Sequence, residues 1–233
     1  MKNDCVFCDR TQFEERLVAE HSVVENEEYN IIATLGQITD GGYVLVVPKK
    51  HISCMAALPS HEMGSMVTAL QEAYTALASE YKHKYSASIR FCPVTIFEHG
   101  IVGQTIKHAH LHLLPAVIDL SPKIRADFPT AEIQELSYDA HLQRDGYVHV
   151  SLGNTYVHLY EIYKKRQEPY LFWTTTIGRP MVCWNPPAPL QYLRIIAAEL
   201  LGRPERANWR TMDPELDKQL GSGTVTRLKP YFS

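Results

Sequence analysis

The stretch Gly103-Gln104-Thr105-Ile106-Lys107-His108-Ala109-His110-Leu111-His112-Leu113-Leu114-Pro115 puts three of the chain's eleven histidines at alternate positions. In an extended strand side chains alternate between faces, so this spacing sends all three imidazoles to one side. Successive rings would then lie ~7 Å apart, at about 3.3 Å rise per residue. Three cations so close would repel one another, so the rings are expected to be neutral or engaged near neutral pH. A lone histidine on such a strand would be a satisfied core residue, whereas three in register point to chemistry.

Upstream, Gly100-Ile101-Val102-Gly103 leads into Gln104 and Thr105. Alone this is an ordinary turn. Next to the histidines it reads as a phosphate cradle, because glycines let backbone N–H groups approach an anion and Gln104 and Thr105 add uncharged donors. Further out, Tyr43-Val44-Leu45-Val46-Val47 is a β-former run opened by Gly41-Gly42 and closed by Pro48. Met63, Met66, Val67, Leu70, Tyr74, Leu77 and Tyr81 recur at helical steps, predicting a core-facing helix over residues 60–84 with Ser60 as its cap. Strands are predicted over residues 93–97 and 106–114. Beyond Pro115 the pattern changes to a polar, proline-punctuated stretch up to residue 144. Then come β-like segments over residues 146–152, 155–163 and 170–176, a rigid connector at Asn185-Pro186-Pro187-Ala188-Pro189, a helix over residues 191–201, and a loose tail after Gly221.

The bulk composition is that of a globular protein: 233 residues, 45% hydrophobic and 21% charged. A formal net charge of -3 gives no general attraction to nucleic acid or anionic membrane, so anion binding must come from local geometry. No apolar run suits a membrane span and the N-terminus is no signal peptide, so a cytoplasmic location is expected, with no membrane or nucleic-acid partner. Five cysteines, an odd count, argue against a disulfide framework. Cys54, Cys92 and Cys183 sit among apolar neighbours and are expected to be buried thiols. Cys5 and Cys8 form a C-x-x-C pair, readable as free thiols, a redox pair or metal ligands. The strand–helix setting of a redox pair is not seen around them.

Residues 103–115 closely resemble the G-Q-[ST]-x-x-H-x-H-x-H signature of the histidine-triad (HIT) nucleotide hydrolases and transferases. Val46-Val47-Pro48-Lys49-Lys50-His51-Ile52 is similar to the family's strand ending in a P-K-x-H turn, and Cys5-Val6-Phe7-Cys8 resembles the C-x-F-C start of many members. The resemblance implies an α+β fold: a HIT-like antiparallel sheet packed by a helix, with a C-terminal α/β extension. The expected division is a HIT domain over residues 1–116 and an extension over residues 117–233 that can pack on the same core. It implies His110 as nucleophile, attacking phosphorus to give a covalent phospho-histidine. It places His112 on the phosphate side, binding or protonating the leaving group, and has Gly103, Gln104 and Thr105 hold the phosphate oxygens. Cys5, Cys8, His51 and His108 fit the structural zinc site of a subset of the family, a tetrahedral two-sulfur, two-nitrogen set. The substrate class is a small nucleotide-like phosphate with a phosphoanhydride, phosphoester or phosphoramidate bond, and a homodimer is expected because the family commonly dimerises.

Two departures stand where a nucleoside would sit. Ile32-Ala33-Thr34-Leu35-Gly36 lacks the Asp or Asn that grips ribose hydroxyls in many members. In Phe97-Glu98-His99-Gly100, His99 stands near an expected Asn and could replace that contact, ligate metal or cap the strand. His112, rather than the Gln of hexose-1-phosphate uridylyltransferases, leans toward hydrolysis. A nucleotidyltransferase or phosphorylase using the same intermediate is the first alternative, and a nucleotide-binding regulatory protein is the second. In the extension, Tyr170-Leu171-Phe172-Trp173 is expected to be core. Arg194, Arg203, Arg206 and Arg210 are expected to be solvated, with a substrate lid as the other reading, and Trp184 and Trp209 are open between the two.

Overall fold

A computed structural model describes residues 5–9, 21–82, 94–136, 143–144, 147–148, 152–175 and 178–232. Its centre is an eight-stranded sheet. The strands are β1 (Ser22–Glu25), β2 (Tyr29–Ala33), β3 (Val44–Pro48), β4 (Thr95–Gly100), β5 (Leu111–Leu114), β6 (Glu132–Glu135), β9 (Tyr170–Thr175) and β10 (Met181–Trp184). Their order is β1-β2-β3-β5-β4-β9-β10-β6, and every neighbouring pair is antiparallel. Two short strands, β7 (Gln143–Arg144) and β8 (Tyr147–Val148), pair separately.

Alternation assigns each strand residue to a face. Ile31, Val44, Val46, Ile96, Leu111, Leu113, Tyr170 and Phe172 pack into one core with the helices α1 (Met63–Glu80) and α3 (Leu152–Arg166). On the opposite face two smaller cores form. Ile32, Leu45 and Val47 pack with Cys5 and Phe7. Phe97, Leu171, Trp173 and Cys183 pack with helices α2 (Ser121–Asp127) and α4 (Tyr192–Leu200). Because both faces are covered, β2, β3 and β4 are buried along their whole length, and this is why residues 43–47 read as a continuous apolar run. The gap between these two smaller cores is where the histidines lie.

β4 pairs with β9 along its length, from Thr95 opposite Thr175 to Gly100 opposite Tyr170, so strands of the second half continue the first half's sheet. The buried aromatic run 170–173 is core, as expected. The helix over residues 60–84 is present, but Ser60 does not cap it. Ser60 opens a 3-10 turn, Ser60–Glu62, and the cap position is Glu62 without a side-chain bond.

Two expectations for the second half are corrected. Residues 155–163 are helical within α3, not β-like. Their Tyr and Val content imitates a strand, but Tyr156, Leu159 and Tyr163 recur at steps of three and four and join the α1 core. The polar stretch contains α2 and the edge strand β6. The tail is not loose: residues 214–228 form helix α5 (Pro214–Leu228), capped by Asp213, whose carboxylate accepts from Leu216 N at 2.8 Å. Gly221, which reads as a breaker, is a close-packing site, since a Cβ there would stand 2.8 Å from the His21 ring. Cys54 and Cys183 are buried, and Cys92 lies outside the described residues. Residues 146 and 149–151 of the β-like segment 146–152 also lie outside them, while Tyr147–Val148 is strand. Among the described residues no helix is long and apolar enough to cross a membrane.

Candidate active site and metal centre

The turn at residues 5–9 is closed by hydrogen bonds from Cys8 N and Asp9 N to Cys5 O, both 2.9 Å. It turns both sulfurs toward His51, just past β3, and His108. His108 Nδ1 lies 3.5 Å from Cys5 Sγ and 3.4 Å from Cys8 Sγ, and His51 Nδ1 lies 3.2 Å from Cys8 Sγ. All four donor atoms fall within 4.8 Å of one another. The N···S edge of a tetrahedral zinc site is about 3.5 Å, from Zn–S near 2.3 Å and Zn–N near 2.0 Å, so the donor set fits zinc in type and spacing. His108 Nε2 donates to Pro48 O at 2.7 Å, which leaves Nδ1 as a lone pair aimed at the sulfurs. Burial holds His108 neutral, with its pKa lowered to about 4.

The other two triad histidines continue the row. Rings of His110 and His112 are 4.9 Å apart, closer than strand rise alone gives, because only His112 lies in β5 and His110 precedes it. Phe7 meets His108 and His110 edge-on at 5.5 and 5.6 Å, so all three rings face the same side. His110 Nδ1 donates to His108 O at 2.7 Å. That bond fixes the tautomer and leaves Nε2 with its lone pair as the nitrogen available to the cavity. Burial keeps this ring neutral, lowering its pKa below the usual histidine value. His112 stacks on Phe97, at 4.5 Å and 14°, and its Nδ1 lies 2.6 Å from the Tyr43 hydroxyl. Burial first, then His110, His99 and Arg194, push its pKa well down. Burial also raises Tyr43 to about 12, so the hydroxyl keeps its proton and donates it to His112. The hydrogen of His112 is then on Nε2, which is buried with no protein partner.

These rings line a cavity of about 230 Å³. One end is the glycine turn Gly103-Gln104-Thr105. Among the described residues, the backbone N–H groups of this turn bond no protein acceptor, and Thr105 is exposed at the rim. Gln104 differs from expectation. Its Nε2 donates to Ser53 O at 2.8 Å and His99 O at 2.7 Å, so both amide hydrogens are in use and the side chain holds the turn rather than a phosphate. The same turn contains Ile101 at φ +82°, a strained conformation for a β-branched residue. The apolar walls include Phe7, Ile32, Leu35 and Leu45, and Thr34 stands where a ribose-gripping acid was missed.

His99 is not a metal ligand. It is buried in the cavity wall, and its Nε2 accepts from Leu193 N at 3.0 Å, meeting the first turn of α4 on the sheet face they share. The far wall comes from the second half: Arg194, Trp209 and Arg210, for which a substrate lid is the second reading, line the cavity with Gln191, which the sequence did not single out. Arg194 is buried, not solvated, on the apolar face of α4. An arginine within that otherwise apolar stripe was the available signal.

On the sheet's other face Glu98 is wholly buried, accepting from Met55 N and from the Tyr170 hydroxyl, both at 2.7 Å. Burial raises its pKa to about 7 despite those two bonds. A raised carboxylate favours the protonated fold, so its contribution is full below about pH 4.5 and is lost as pH rises through 7. Wild type is therefore expected to lose about 3 kcal/mol relative to Glu98→Gln between about pH 5 and pH 8, read from urea unfolding. Parallel pH profiles for the two proteins would contradict this.

Against known proteins, residues 16–117 match the HIT domain family. An uncharacterised HIT-like protein of Mycoplasma genitalium is 26% identical over 115 residues, 48% of this chain and 73% of that protein. A HIT-like protein from Bartonella henselae, described as involved in cell-cycle regulation, aligns at TM-score 0.41 and 15% identity, covering 69% of this chain and 97% of its own. A zinc-bound histidine-triad protein from Mycobacterium smegmatis aligns at TM-score 0.37 and 19% identity, covering 71% and 99%. The row of histidines therefore lies within residues 16–117, the stretch of the chain that matches the HIT domain family.

Proposed function

We propose that the protein hydrolyses a small nucleotide-like phosphate at a phosphoanhydride, phosphoester or phosphoramidate bond, through a covalent phospho-histidine on His110. The observation that carries this reading is the His110 Nδ1 to His108 carbonyl bond, which leaves an unprotonated Nε2 beside a turn of unbonded N–H groups. Nε2 attacks phosphorus, forming a P–N bond as the bond to the leaving group breaks. The Nε2–H of His112 donates a hydrogen bond to the departing atom, which takes its proton from water, and the Tyr43 hydroxyl keeps His112 neutral and in the required tautomer. Backbone N–H groups of residues 103–105 and the Thr105 hydroxyl hold the phosphoryl oxygens as charge develops. Water then cleaves the P–N bond, its proton passes to solvent with the phosphate product, and His110 is restored.

Cys5, Cys8, His51 and His108 would hold a zinc ion, which supplies structure here and no reaction step. Residues 117–233 form an extension that shares the sheet of the first half.

The test is a rapid acid-free quench with adenosine phosphoramidate or a dinucleoside polyphosphate, followed by peptide mass spectrometry. A nucleotidyl adduct on His110 is expected, and partition of that adduct between water and added inorganic phosphate separates hydrolase from phosphorylase. The pH profile gives a second check. Because burial lowers the His110 pKa, kcat/KM is expected to stay level as pH falls past about 6.5, with its acid limb lying lower. An acid limb at the ordinary histidine value would contradict a buried nucleophile.

A further inference from the structure

The cavity's far wall belongs to α4 and the chain on either side of it, residues 189–210, which lie outside the matched HIT domain. That segment is pinned at both rims. On the glycine-turn side, Gln191 N donates to Gly103 O at 2.7 Å, and a Cβ at Gly103 (φ +75°) would stand 2.8 Å from Pro189 O. On the other side, a Cβ at Gly36 (φ +72°) would stand 2.4 Å from both Arg194 Nη2 and Trp209 Cβ. Only glycine lets the two halves of the chain approach so closely there. Arg194 ties this rim together, donating to Gly36 O at 2.5 Å, Ala207 O at 2.8 Å and Arg206 O at 3.0 Å.

Charge distinguishes the arginines of this segment. Arg203 and Arg206 are both paired with Asp40 on the outer side. Among the described residues neither Arg194 nor Arg210 has a carboxylate within ion-pair distance, and both line the cavity. Arg210 is exposed and its guanidinium carbon lies over the Trp209 indole, 4.2 Å from the ring centroid. The cavity walls carry these two arginines, three histidines and no Asp or Glu. A cavity with two uncompensated cations and neutral histidines has a net attraction for anions beyond a single phosphoryl group.

Resting on the chemistry proposed for His110, we propose that Trp209 and Arg210 are specificity-determining residues that select substrates carrying a second phosphate beyond the phosphorus attacked. The guanidinium meets the second phosphate through paired N–H donors, and the indole under it fixes the direction of that fork. Arg194 acts as a positioning residue, holding the segment against Gly36.

Binding is read from tryptophan emission, with Trp209→Phe as the control for which of the three tryptophans reports. Full-length protein carrying His110→Asn is titrated with AMP and with ATP. ATP is expected to bind at least ~10-fold more tightly than AMP, and Arg210→Gln in the same background is expected to bring that ratio below about twofold with AMP binding little changed. Arg210→Lys should keep part of the preference. An equal ratio in Arg210→Gln, or no preference or no binding before that substitution, would overturn the proposal. Failure of the His110 adduct to form, with the Arg210-dependent preference intact, would instead remove the reaction and leave the subsite.

Discussion

Replacing His110 by asparagine is expected to lower kcat/KM by at least ~10⁴-fold, about 5.5 kcal/mol of transition-state stabilisation, with the fold and ligand binding retained. The substitution is chosen for what it preserves. Asparagine's amide can still donate toward His108 O, so the local hydrogen bond that orients the side chain survives. What disappears is the unprotonated His110 Nε2 that faces the cavity. An amide has no comparable nucleophilic lone pair, so no route to a P–N bond remains. Because burial keeps His110 neutral, no buried charge is removed with it, and the melting temperature should move by only a few degrees. His112→Asn should be milder, in the range of losing one transition-state hydrogen-bond donor, about 10²- to 10³-fold, since it deletes the hydrogen bond to the departing atom but not the nucleophile. Steady-state kinetics on both variants, beside circular dichroism and AMP titration, separates these effects. Turnover near the wild-type level in His110→Asn would end the proposed mechanism.

Several parts of this site were legible in the sequence because their information is local. The two-residue period from His108 to His112 fixes a shared side whatever surrounds it, and the Pro48-Lys49-Lys50-His51 turn sits on a strand whose β-formers are contiguous. What was not legible depends on partners distant in the chain. Residues 155–163 have strand-like side chains, and only the fit of Tyr156, Leu159 and Tyr163 against α1 makes them a helix. Gly221 and Gly223 suggest a frayed tail, yet Gly221 is required where α5 crosses His21, and Thr224 beside it accepts from Gly42 N at 2.8 Å. Gln104 looked like a phosphate donor because its amide is uncharged and well placed in sequence. Its role changes only when the carbonyls of Ser53 and His99 occupy its hydrogens. The same holds for Arg194, whose acceptors come from residues 35, 36, 206 and 207.

Removing zinc is expected to destabilise the protein by about 4 kcal/mol, the linkage value for a site holding metal at a thousandfold above its dissociation constant. At the response of a domain this size, that lowers the melting temperature by roughly 8–16 °C. The effect follows from where the ion would sit, joining the turn of residues 5–9, which packs on Ile32, Leu45 and Val47, to His51 and His108 of the sheet. Two cysteine sulfurs facing two imidazoles, one of them fixed by Pro48 O, form a donor set that converges on a cation and has little reason to converge without one. Loss of the ion should also free Phe7, which forms a wall beside His110, so KM should rise more than kcat falls. Cys8→Ser should reproduce both changes and lower the zinc content from about one equivalent toward zero, measured by plasma mass spectrometry. Purified wild-type protein that holds no zinc, and melts at the same temperature with and without a chelator, would show that these four side chains meet for another reason.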